Sequence, residues 1–97
     1  MSDRSLFDNP TADLADLLAA GWTLNDSETT LSKTFKFKDF KSAFAWMTQI
    51  SFEAEALDHH PDWKNVYNRV EVSLSTHSSK GLTQLDKDLA ERMDALA

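Results

Sequence analysis

The stretch from Asp39 to Pro61 limits what this chain can fold into more than any other. Phe40, Ala43, Phe44, Met47, Ile50, Ala54 and Leu57 recur at helical spacing, and Lys41, Ser42, Thr48, Gln49, Glu53 and Glu55 between them are mostly polar. Asp39 has the side chain of an N-cap. Pro61 cannot continue a helix, and it biases His60 away from helical backbone angles. The spacing therefore predicts one amphipathic helix of about five turns, with its phenylalanines in the core. Such a helix needs a second layer to cover its apolar face.

The flanking segments supply that layer. Trp22-Thr23-Leu24 precedes a polar turn, Asn25 to Glu28; Leu31, Lys33, Phe35 and Phe37 then alternate with Ser32, Thr34 and Lys36. Period two with aromatics is a half-buried strand, and the short connection predicts a hairpin. Beyond Pro61, Trp63, Val66 and Tyr67 suggest a short strand. After a tight connection at Asn68-Arg69, Val70, Val72 and Leu74 alternate with Glu71, Ser73 and Ser75. A short first helix is expected from Thr11 as N-cap, with Leu14, Leu17 and Leu18 as its docking stripe and Gly21 at its left-handed end. Thr83 and Asp86 resemble a capping box before a last helix striped by Leu85, Leu89 and Met93. The order predicts an α+β two-layer domain: a four-stranded antiparallel sheet with three helices packed on one face. Residues 1–9 read as a loose arm and residues 10–97 as the single domain. Exposed edge strands favour pairing with a second subunit, so a homo-oligomer is expected.

Composition narrows the functions. A chain of 97 residues is one domain. Its 10 Lys and Arg against 16 Asp and Glu give a net charge of −6, which argues against a nucleic-acid or anionic-membrane partner. Without cysteine there is no disulfide, thiolate zinc site or cysteine nucleophile. No signal-like segment and no apolar run of membrane-spanning length occurs, so a cytoplasmic location is expected. The ionisable groups suited to chemistry near neutral pH are the three histidines, His59, His60 and His77.

Glu55 and His59 are four apart, so they share a helix face and their side chains can meet. A carboxylate there would fix the imidazole tautomer, while His60, past the helix, meets other surroundings. Two imidazoles in unlike environments can divide acid and base roles. The competing readings are helix-end capping by histidine and a metal site. Glu55, His59 and His77 could supply three ligands, but the spacing is not that of a zinc hydrolase and adjacent histidines do not easily reach one ion, so metal is set aside. Strict alternation puts His77 with Ser73 and Ser75, away from the helical layer; it joins the other histidines only if the strand stops or twists at Thr76. Trp63 and Tyr67 read either as packing aromatics or as a wall for a planar ring. Asp86 reads as a helix cap or as the holder of an imidazole.

The run Glu55-Ala56-Leu57-Asp58-His59-His60-Pro61-Asp62-Trp63, followed by Asn65-Val66-Tyr67-Asn68, Leu74-Ser75-Thr76-His77 and Gly81-Leu82-Thr83, closely resembles the pterin-4a-carbinolamine dehydratases. Asp86, Leu89 and Ala90 continue the likeness, and Gly21-Trp22, Phe35-x-Phe37-x-Asp39-Phe40 and Ala43-Phe44 extend it upstream. The resemblance implies the same α+β fold, a dimer or tetramer, and removal of water from a 4a-hydroxytetrahydropterin to give quinonoid dihydropterin. That reaction serves pterin recycling after aromatic amino-acid hydroxylation, which makes a hydroxylase a possible pathway partner. It implies His59, His60 and His77 as catalytic residues, Glu55 and Asp86 as supporting acids, Pro61, Trp63 and Thr76 at the substrate, and no cofactor or metal. Glu55 is expected to orient His59, and Asp86 to orient His77. Relatives also act as dimerisation cofactors for a homeodomain transcription factor, so a non-catalytic assembly role is the alternative.

Overall fold

The two alternating segments pair with each other across the middle of one sheet. In the computed structural model, which describes residues 4–97, Pro10–Asp13 (α1) and Ala15–Ala19 (α2) precede strands Thr23–Leu24 (β1) and Leu31–Lys36 (β2). Phe40–Leu57 (α3) follows, then Asp62–Val66 (β3), Arg69–Leu74 (β4), a 3₁₀ turn at His77–Ser79 and Gln84–Leu96 (α4). The four strands form an antiparallel sheet in the order β1-β2-β4-β3. This is the α+β architecture expected, with four α-helices instead of three. The expected first helix is split at Leu14, whose backbone (φ −109°, ψ 18°) leaves helical geometry. Its cap is Asn9, not Thr11: the Asn9 carboxamide accepts from Ala12 N at 3.3 Å, and Pro10 occupies the first turn, where its missing N–H costs nothing.

Register decides what each face presents. Leu31, Lys33 and Phe35 lie opposite Leu74, Val72 and Val70, and these pairs face the helices. Ser32, Thr34, Glu71 and Ser73 therefore occupy the other, polar face. Leu14, Leu17, Trp22, Ile50, Ala54, Leu89 and Met93 close the core from the helical side, at about 1.5–3 kcal/mol for each large apolar side chain buried. Lys33 points inward yet stays satisfied. Its ammonium lies 2.7 Å from Asp94 Oδ1 and donates to the Ala20 carbonyl at 2.8 Å, while Trp22 Nε1 donates to Asp94 Oδ2 at 2.9 Å. These bonds tie α4 to the sheet and to the end of α2.

One expectation about α3 is corrected. Phe40 and Phe44 are about half exposed, and their rings contact each other at 5.7 Å. The buried stripe is Ala43, Trp46, Ile50 and Ala54, rotated toward Trp46. That indole wins the core position by stacking with Phe35 (4.5 Å between centroids) and donating Nε1 to the Met93 carbonyl at 3.2 Å. Of the arm expected at residues 1–9, Met1 to Asp3 lie outside the described residues. From Arg4 it runs beside the segment before α4: Leu6 bridges Thr83, and Phe7 N donates to the Leu82 carbonyl at 2.9 Å. No helix among the described residues is long and apolar enough to cross a membrane.

Candidate active site

The end of α3 separates the two adjacent histidines. Asp58 takes a left-handed conformation (φ 50°, ψ 44°), which Asp tolerates better than most L-residues. The chain then closes the helix as a Schellman turn, with His59 N donating to Ala54 O at 3.0 Å and Asp58 N to Glu55 O at 3.1 Å. His59 has thereby left the helix, and i,i+4 spacing no longer governs it. It swings under the sheet end, where Nε2 lies 2.6 Å from Asp86 Oδ1 on α4. His60 folds back over the helix end instead, with Nε2 2.6 Å from Glu55 Oε1. The expected pairing of Glu55 with His59 and of Asp86 with His77 is thus corrected: Asp86 holds His59, and Glu55 holds His60.

Burial distinguishes the two pairs. The His59 side chain is 7% exposed and Asp86 fully buried, while His60 is 57% exposed. Asp86 also closes the capping box of α4, because its Oδ2 accepts from Thr83 N at 2.9 Å and from Thr76 Oγ1 at 2.8 Å. With its proton committed to Asp86, Thr76 Oγ1 accepts from Thr83 Oγ1 at 2.7 Å, and Thr83 Oγ1 in turn accepts from Leu85 N at 3.3 Å. The result is a directed chain in which every donor points toward the carboxylate. A carboxylate so surrounded at a helix N-terminus acts as acceptor, so His59 presents Nε2–H to it and is left with Nδ1 as its free nitrogen.

His77 keeps the side that alternation gives it, with Ser73 and Ser75, and the chain leaving α3 brings His60 to that side. Thr76 bridges Gly81, and the intervening 3₁₀ turn begins at His77. The expectation that His77 must leave the Ser73 and Ser75 side to meet the other histidines is thus corrected. His59, His60 and His77 line one cleft of about 310 Å³ together with Arg4, Ser75 and Ser78. A recess of about 160 Å³ shares His60, Ser75 and His77 and extends to Thr30, Asp62 and Ser73 on the polar face of the sheet. The His77 side chain makes no hydrogen bond with the described residues, so both its nitrogens are open to a ligand. No group of three His, Asp or Glu among the described residues is arranged to hold a metal ion.

The remaining expected substrate contacts are placed elsewhere. Trp63 faces the helical layer and packs on Trp46 at 6.1 Å between centroids, because residue 63 and the exposed Asp62 lie on opposite faces of β3. Thr76 is buried and engaged by Asp86 and Thr83. Pro61 stands between His60 and β3 and lines neither recess. Two further residues stand at the site. Thr83 is more than the expected cap: a threonine that caps with an acid three residues on is already aimed at that acid. Arg4 carries no sequence signal at all.

The family model for pterin 4 alpha carbinolamine dehydratase matches residues 8–96. A relative from Rhizobium leguminosarum bv. trifolii, named "Putative pterin-4-alpha-carbinolamine dehydratase", is 52% identical over 86 residues, covering 89% of this chain and 83% of the relative. The crystal structure of a transcriptional coactivator/pterin dehydratase from Brucella melitensis superposes with a TM-score of 0.85 at 43% identity, over 96% of this chain and 99% of that one. A pterin dehydratase-like protein described as a RuBisCO assembly factor of the alpha-carboxysome aligns with a TM-score of 0.69 at 23% identity, over 79% of this chain and 89% of that one, and shares the fold alone.

Proposed function

The chain belongs to the pterin-4a-carbinolamine dehydratase family, and from that premise we propose that it dehydrates a 4a-hydroxytetrahydropterin to quinonoid dihydropterin by proton transfer among His59, His60 and His77. The observation that carries this reading is the convergence of three imidazoles on one cleft, two of them anchored on separate carboxylates. In the reaction the C4a–O bond breaks and the oxygen leaves as water after receiving a proton. The adjacent ring N–H loses its proton, and a C4a=N double bond forms. The protons balance, and acid and base must work on neighbouring atoms.

The site offers unequal groups for these tasks. His59, whose Nε2 is engaged by Asp86, keeps Nδ1 for the substrate and suits the base. His60, steadied by Glu55, or the unengaged His77 delivers the proton to the leaving hydroxyl. Each positioned acid or base contributes about 10²- to 10⁴-fold. Asp86 orients a catalytic group without touching substrate, and so does Glu55. Recycling of a tetrahydropterin after aromatic hydroxylation is the setting for this chemistry, and a cytoplasmic location suits it. The test is a continuous ultraviolet assay on the hydroxypterin. The wild type is expected to accelerate water loss, and His59→Ala/His60→Ala/His77→Ala together to abolish it; no acceleration by the wild type sinks the reading.

A second reading, self-association or an assembly role, is favoured by the half-exposed Phe40 and Phe44, the more exposed Phe52 and the free outer edge of β3. A homodimer or homotetramer is the expected form, checked by light scattering. An oligomer without dehydration would favour the assembly role over the enzyme.

A further inference from the structure

The arm before α1 is docked beside the histidines, and it brings a cation to them. Leu6 bridges Thr83, Phe7 N donates to Leu82 O, and Ser79 Oγ, in the same turn as His77, donates to the Arg4 carbonyl. Gly81 accommodates this course. A Cβ built there would lie 2.8 Å from Leu6 Cδ2, so the glycine leaves the space Leu6 fills. The arm thus holds the turn that carries His77, and its first described residue lines the cleft.

Arg4 stands at the cleft rim. Its side chain is 41% exposed, against 7% for His59 at the floor, and its Nη2 lies 3.8 Å from Asp58 Oδ2, a carboxylate 84% exposed. An ion pair that long and that wet contributes little and holds the guanidinium weakly, so the donors are free to turn to a ligand. Apart from the histidines, Arg4 is the basic residue lining either recess at this site; the carboxylates of Asp58 and Asp62 are acceptors. Arg4 thus offers hydrogen-bond donors at the rim of the cleft that the imidazoles line.

Resting on the dehydratase reading, we propose that Arg4 determines substrate specificity by donating hydrogen bonds to oxygen acceptors on the substituent of the pterin ring, and that the arm exists in part to present it. Arg4 binds the hydroxylated side chain and takes no part in the proton transfers. The test compares two 4a-hydroxytetrahydropterins, one with a methyl and one with a dihydroxypropyl substituent at carbon 6, on the full chain and on Arg4→Ala and Arg4→Lys. The wild type is expected to show a KM about tenfold lower for the hydroxylated substrate, the factor of one charge-assisted hydrogen bond. Arg4→Ala removes that preference with kcat held within about twofold, and Arg4→Lys restores part of it. An unchanged KM ratio in Arg4→Ala, or an equal loss of kcat on both substrates, overturns the proposal while leaving the dehydratase reading intact. Absence of turnover by the wild type overturns both.

Discussion

Asp86 Oδ1 sits 2.6 Å from His59 Nε2, in a pair that joins the start of α4 to the end of α3 across 27 residues of sequence. One carboxylate thus does two things: it caps a helix and it fixes the tautomer of the deepest imidazole in the cleft.

Neutralising this acid should hurt far more than neutralising the other. Asp86→Asn is expected to lower kcat by about 10²-fold and to cost about 2–3 kcal/mol of stability, since an amide mismatches the donors from Thr76 and Thr83. Glu55→Gln, on the exposed His60, should lower kcat only a few-fold with stability unchanged within about 0.5 kcal/mol. Steady-state kinetics with urea denaturation checks both, and equal losses would contradict the division of roles.

The paired threonines act through Asp86. Thr76→Val and Thr83→Val should each cost about 1–2 kcal/mol, and the double variant less than the sum, because the two hydroxyls share a bond. Each should lower kcat and leave KM nearly unchanged, which distinguishes positioning of His59 from substrate binding. A double-mutant cycle measures the coupling.

Gly81→Ala tests the docking of the arm. The new Cβ meets the end of a flexible leucine, so the fold should lose only about 1 kcal/mol or less while the arm lifts. Limited proteolysis is expected to cut near Leu6 and Phe7 several times faster than in the wild type, with the rest of the chain intact.

Asp39 links stability to acid pH. The backbone N–H of Ser42, which donates to its carboxylate at 2.8 Å, holds its pKa below the ordinary 3.8, with the Ser42 hydroxyl and the Lys38 and Lys41 charges acting in the same direction. A folded-state pKa below the unfolded one stabilises the fold above the unfolded value, and that contribution disappears as pH falls through the folded value. Asp39→Asn also caps α3 but does not titrate. Acid unfolding followed by circular dichroism should show the wild type losing stability relative to Asp39→Asn only below about pH 3.8.

Local rules carried the fold a long way. The alternation of Leu31 to Phe37 and of Val70 to Leu74 set two strands, and the spacing from Ala43 to Leu57 set α3, because apolar periodicity must match the geometry that buries it. Phe40 and Phe44 depart from the core expected of them for a reason of packing: residues neighbouring on a helix compete for one core, and Phe35 and Met93 favour the indole of Trp46. The motif also marked all three histidines.

Periodicity and chain punctuation were thus enough for the main elements and the layer they form, and the motif for the three histidines that line one cleft. Only the tertiary structure decided the partners. The left-handed turn at Asp58 takes His59 off the helix and away from Glu55, the chain after it brings His60 to the side of the sheet where His77 lies with Ser75, and the docking of α4 and the arm delivers Asp86 and Arg4. Contacts between residues far apart in sequence arise from packing, which no spacing along one element encodes.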